Sequence, residues 1–250
     1  MEPQIFVLLV ALAFFISIIA GMVGGSYLLM IPVMLFFGLQ IHEVIGITKI
    51  MTVFVGLVFI NYWQKGKVDL KFNFPFALLI IVGSLVGSSF AVQISGNVLQ
   101  NMIGVLMLLV SLLILLNKGL GVKKFKGKIG NKNIILAAIF SLVLGFYNGI
   151  YGAAFSIMVI MLFTTLLKKE FVESIGSARF LDFLGGIAGV FVFGLKGLIN
   201  YSLAIPMGLA YLGGGLIGSH ITLKKGPEWV RYPIVIISIA FAVKLLLFEG

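Results

Sequence analysis

Two cations stand where cations are costly. Lys49 and Arg179 each lie near the start of a long apolar run, 44–63 and 171–195. A charge at the centre of a bilayer costs about 3 kcal/mol or more, so such residues face a cavity or a partner. Arg offers a planar fork and Lys a compact point charge, and both suit an oxyanion. Two simpler roles compete. Lys49 lies within two turns of the loop at 40–43 and can snorkel toward headgroups. Arg179 can pair with Asp182 at i+3. Asp182 is the one carboxylate well inside a run, which makes it the proton-coupling candidate or the structural partner of Arg179. Thr48, Thr52 and Ser177 flank the cations and add hydroxyl donors, although hydroxyls in membrane helices also bond their own backbone.

Backbone groups are the second candidate chemistry. Gly21-Met22-Val23-Gly24-Gly25-Ser26 and Gly149-Ile150-Tyr151-Gly152-Ala153-Ala154 interrupt apolar runs. A break inside lipid needs its freed backbone groups satisfied. Free N–H groups at the start of a half-helix attract anions. The candidate substrate-binding set is therefore Lys49, Arg179, Thr48, Ser177, Gly24, Gly25, Ser26, Asn148, Gly149 and Gly152. Gly83-x-x-x-Gly87 and Gly214-x-x-x-Gly218 are better explained as close helix packing. His42 and His220 are isolated and cysteine is absent, so no metal or other cofactor is expected.

The elements that must position these residues follow from composition. The chain has 250 residues, 61% hydrophobic and 10% charged, with mean hydropathy +1.20. A soluble domain carries about a quarter charged residues, so lipid is the solvent that fits. Ten apolar segments emerge: 5–20, 27–37, 44–63, 76–94, 98–116, 133–144, 153–167, 171–195, 201–223 and 229–247. Most approach the ~20 residues that span a bilayer as a helix. The runs are continuous, which excludes a β-barrel. Segments 27–37, 133–144 and 153–167 are too short to cross alone. The stretches 5–37 and 133–167 are thus expected to be helices broken by glycine. The acidic, Pro-containing N-terminus has no basic region, so the first segment is expected to be a retained span.

The landmarks occur twice. Gly21 and Gly24 recur as Gly149 and Gly152; Glu43, Ile45, Gly46 and Lys49 as Glu173, Ile175, Gly176 and Arg179. Lys65, Gly66, Pro75, Gly83, Gly87 and Ser88 recur as Lys196, Gly197, Pro206, Gly214, Gly218 and Ser219. This ordered series predicts an all-α integral membrane protein of two inverted repeats, each of about five helical segments with one glycine-broken helix. Paired broken segments point to a transporter binding site. The first membrane repeat is 1–116 and the second 133–250. The basic linker 117–132 holds Lys118, Lys123, Lys124, Lys126, Lys128 and Lys132. If each broken stretch folds back as a V, 14 loop Lys and Arg share one side and only Lys196 takes the other. A single crossing per stretch splits them ten to five. The positive-inside rule favours the first arrangement, with the linker cytoplasmic and both termini outside. The net charge of +10 is then topological and calls for no nucleic acid.

Gly21-x-x-Gly24-Gly25, Pro32, Gly46-Ile47-Thr48-Lys49 and Tyr62-x-x-x-Gly66-x-Val68-Asp69 resemble the TauE/SafE sulfite exporter family, especially its YfcA-like branch. A first-half Thr-Asn-Lys element and a second-half basic residue followed by Asn-Phe are typical there. This chain has Ile47-Thr48-Lys49 and Arg179-Phe180-Leu181-Asp182-Phe183. Ile47 replaces a small polar residue, Ala153-Ala154 replace a glycine-rich run, and Asp182 stands where Asn is common. The resemblance covers nearly the whole chain in its layout. It implies a multi-pass cell-membrane transporter of sulfite, sulfonates or other small oxyanions, linked to the proton gradient.

The leading expectation is a secondary transporter of a small anion, its partners being that anion and the bilayer. No nucleotide-binding motif is present, which sets ATP hydrolysis aside. A cation carrier using Asp182 and exposed carbonyls is the alternative, against which stand two buried bases for one acid. An intramembrane enzyme would need a nucleophile and base in reach, and neither histidine lies by a suitable serine. The anion, the direction of transport and the oligomeric state, a homodimer included, are open at this stage.

Overall fold

Apolar side chains on every face and few interior breakers make helices, because only a helix satisfies its own backbone inside lipid. The structure, a computed structural model, describes residues 2–116 and 129–225. Those residues form ten helices: α1 Pro3–Val23, α2 Tyr27–Phe36, α3 Ile41–Gly56, α4 Phe59–Gln64, α5 Leu70–Ala91, α6 Gly96–Leu116, α7 Asn131–Ile150, α8 Phe155–Thr165, α9 Phe171–Leu195 and α10 Tyr201–Lys225. The expected segment 229–247 and most of the basic linker lie outside the described residues. Among the described residues, six stretches are long and apolar enough to cross a membrane: Pro3–Met22, Ile41–Gln64, Leu70–Ala91, Asn131–Ile150, Phe171–Leu195 and Tyr201–Lys224. The protein is a multi-pass membrane protein.

One expected boundary is corrected. Segment 133–144 looked too short to cross, yet α7 continues through Gly145 and Gly149 to Ile150, 20 residues in all. Glycine costs a helix about 1 kcal/mol relative to alanine, which does not end it when the glycines lie against another helix. Only the second parts of the two broken stretches are short, 10 residues in α2 and 11 in α8.

The packing is crosswise. α1 runs along α10 and α7 runs along α5, while α3 lies against α9 at the centre. α5 also touches α9, and α10 touches α3. Each contact thus has a counterpart with the halves exchanged. Small residues make the close crossings possible. A side chain at Gly83 or Gly87 would run into the α7 backbone, and one at Gly214 or Gly218 into the α1 backbone. Gly145 and Gly149 return the contact toward α5, and Gly21 meets Gly215. Helix starts repeat as well. Asp69 accepts from the Phe72 amide at 3.0 Å to cap α5. Asn200 accepts from the Leu203 amide at 3.3 Å to cap α10. Large side chains such as Val82, Val86, Ile139 and Val143 point outward, as lipid-facing surfaces require. Most of the polar groups described next are buried between α1, α3, α7, α8 and α9.

Candidate functional site

The two helix breaks are made by backbone conformation. α1 stops at Gly24 and Gly25, with φ of +91° and +81°, a region that glycine enters without steric cost. α7 stops before Gly152 at φ +78°, and Ala154 at +59° turns the chain into α8. The breaks meet. A Cβ built on Gly24 would stand 2.7 Å from the Ser156 Cβ, and one on Gly25 would stand 4.0 Å from that of Ala154. The amides of Gly25 and Ser26, and those of Ala153 and Ala154, donate to no acceptor among the described residues.

Each cation reaches across to the other half. Lys49 on α3 donates from Nζ to the Asn148 carbonyl in the last turn of α7. Arg179 on α9 donates from NH2 to the Ala20 carbonyl in the last turn of α1. Helix C-termini carry unpaired carbonyls and a partial negative charge, so a cation there is favourable. The two acceptors are equally placed: Ala20 lies four residues before Gly24, and Asn148 four residues before Gly152. Both cations are only 2% exposed. The Lys49 stem lies across Gly189 of α9, where an added Cβ would come 2.6 Å from its Cδ.

Asp182 joins the two cations. Its Oδ1 accepts from Asn148 Nδ2 at 3.0 Å and its Oδ2 from Ser156 Oγ at 3.1 Å. Arg179 NH1 donates to the same Ser156 hydroxyl at 3.4 Å and stands 4.0 Å from Asp182 Oδ2. Asn148 therefore links Lys49 to the carboxylate through its carbonyl and its side-chain amide. Arg179 Nε is buried with no partner. Gly25, Ser26, Gly152, Ser156, Arg179 and Asp182 line a cavity of about 10 Å³, the room of about one water. Ser26 Oγ and Tyr211 Oη share a hydrogen bond of 2.5 Å, and the Tyr211 ring stacks on Tyr27 at 5.3 Å.

Of the sequence-derived candidates, the structure gathers Lys49, Arg179, Asp182, Asn148, Gly24, Gly25, Ser26 and Gly152. Arg179 lines the cavity itself, whereas Lys49 stands behind Asn148 and Gly152. Three candidates serve elsewhere. Thr48 donates to the Ile45 carbonyl of its own helix at 2.7 Å. Ser177 accepts from Asn73 Nδ2 at 2.9 Å and ties α9 to α5. Gly149 packs on α5, and its carbonyl accepts from Ser88 at 3.1 Å. The sequence reasoning missed Ser156, Tyr27 and Tyr211. Ser156 carried a usable signal, a hydroxyl in the first turn after a break; a tyrosine within a span carries none.

The comparisons with known proteins agree with this architecture. The chain is 28% identical over 247 residues to a "Probable membrane transporter protein ORF9" of a Sinorhizobium species, covering 95% of this chain and 92% of that protein. It is 26% identical over 247 residues to "Probable membrane transporter protein YfcA" of Escherichia coli K12, covering 96% and 90%. A "Probable membrane transporter protein" of Haemophilus influenzae is 24% identical over 244 residues, covering 97% and 95%. No solved structure matches the chain significantly. The profile of the family described as sulfite exporter TauE/SafE matches residues 9–245, and the chain belongs to that family of membrane transporters.

Proposed function

We propose that this protein is a secondary transporter of a small anion, such as sulfite, an organosulfonate or a related oxyanion, working by alternating access. One observation carries the reading: two buried cations from opposite halves converge on two helix breaks that touch each other. Two cations in low dielectric repel, and one carboxylate offsets only half of their charge. A bound anion relieves the remainder. Its oxygens would replace the Ala20 and Asn148 carbonyls as acceptors, and the amides of Gly25, Ser26, Ala153 and Ala154 would add donors. Because the cavity has room for only about one water, entry of an anion requires the breaks to separate. Releasing the two carbonyls frees the ends of α1 and α7 from the opposite half. Occupancy is thereby tied to movement of one half against the other.

The crosswise packing supports two repeats, 1–116 and 133–250, related by an axis in the membrane plane and joined by the 117–132 linker in the cytoplasm. Asp182 is the proposed coupling group, since it contacts both cations directly or through one residue. A cation carrier fits less well, because two of the three buried charges among the described residues are positive. The test is uptake of labelled sulfite and sulfonates into proteoliposomes, with and without a proton gradient. Wild type should accumulate at least one of them, and the Lys49→Gln, Arg179→Gln double variant should not. Equal uptake by that variant ends the proposal.

A further inference from the structure

We infer that the site selects monovalent oxyanions, and that Asp182 is the residue that turns dianions away. The inference rests on the anion reading above and deepens it. Among the described residues, the buried charged side chains are Lys49, Arg179 and Asp182. The surroundings of Asp182 suit a carboxylate: a guanidinium nitrogen lies 4.0 Å from its Oδ2 and two side-chain donors face its oxygens. Asn148 Nδ2 donates to one oxygen and the Ser156 hydroxyl to the other. The Ser156 oxygen also accepts from Arg179 at 3.4 Å, which leaves its proton available to the carboxylate. An ionised carboxylate accepts at both oxygens and so satisfies both donors. The buried sum is one positive charge. A monoanion brings the closed site to neutrality. A dianion leaves a net negative charge in a water-poor space a few ångströms from the Asp182 oxygens, where Coulomb repulsion is weakly screened. Arg179 lines the cavity, and its Nε, buried and unpaired, is a donor that an incoming oxyanion can satisfy without disturbing the Asp182 contacts.

The experiment uses two tetrahedral sulfur oxyanions of fixed charge, methanesulfonate and sulfate, titrated calorimetrically into the purified protein at pH 7.5. Wild type should bind methanesulfonate at least tenfold more tightly than sulfate. Asp182→Asn keeps the side-chain size and raises the buried sum to two, so the preference should shrink at least tenfold or reverse. Asp182→Glu keeps the charge and should keep the preference. Sulfate binding to wild type as tightly as methanesulfonate overturns the inference and leaves anion transport standing. An unchanged preference in a folded Asp182→Asn also overturns it. Should neither anion bind wild type, and sulfite and sulfonates fail to enter proteoliposomes, the anion reading falls and this inference falls with it.

Discussion

Substituting Gly24 by alanine isolates what the first helix break requires. Two costs add. The backbone there has φ +91° and ψ −172°, a region nearly confined to glycine, and holding another residue in it costs about 1–3 kcal/mol. The new Cβ would also stand 2.7 Å from the Ser156 Cβ, closer than carbon atoms approach. Forcing an extra methyl into a packed site costs about 1–3 kcal/mol. The expected destabilisation is therefore about 2–6 kcal/mol. Gly38 supplies the control. Its φ is +83°, and a Cβ there meets nothing within 4 Å, so Gly38→Ala should cost about 1–2 kcal/mol from backbone alone. Equilibrium unfolding of both variants in mixed micelles measures the difference. Transport adds a second reading, because the clash pushes on Ser156, the hydroxyl that connects Arg179 to Asp182. Gly24→Ala should lose more uptake than Gly38→Ala even when the folded populations are matched. If the two variants have equal stability and equal uptake, the breaks do not meet as described.

Arg179→Lys should retain protein in the membrane yet cut uptake severely, because one ammonium cannot reach Ala20, Ser156 and the cavity together as the guanidinium fork does; uptake equal to wild type would refute a role for the fork. Tyr211→Phe removes one partner of a buried 2.5 Å hydrogen bond and should cost about 1–3 kcal/mol by leaving Ser26 unsatisfied, measured again by unfolding. Ser26→Ala together with Tyr211→Phe should cost less than the two single changes summed. Single cysteines replacing Lys65 and Lys196 should label from opposite sides of the membrane, which the cysteine-free wild type makes straightforward; labelling from one side refutes the inverted arrangement.

Much of this site was legible because buried charge is rare in apolar sequence. Lys49, Arg179 and Asp182 stood out by type alone, and their spacing held: residues three apart on a helix share a face, so Arg179 and Asp182 reach the same hydroxyl. Adjacent residues do not share a face. Successive positions turn by about 100°, which is why Thr48 and Ser177, placed beside or near the cations in sequence, bond in other directions. Glycine was ambiguous for a physical reason. Gly24 and Gly152 break helices through positive φ, whereas Gly21, Gly145 and Gly149 remain helical and serve close packing. The residue type is the same in both uses, and only the backbone conformation separates them. Nor does sequence distinguish the working hydroxyl of Ser156 from those of Ser141 and Thr164, which are spent on carbonyls of their own helices.

The crosswise packing also governs how the chain is made. α1 emerges first, and its partner α10 begins at Tyr201. Through most of synthesis the face of α1 that receives the α10 glycines Gly214 and Gly218 rests against lipid or transient neighbours. Arg179 enters the membrane after Ala20, its acceptor, has already been placed there. Lys49 has the opposite order, since it must wait for Asn148. The first half cannot lock until the second half has been inserted, so contacts between sequence-distant helices come late and assembly is slow to commit. A truncated nascent chain ending before α7 would hold Lys49 in the bilayer without the Asn148 carbonyl that receives it.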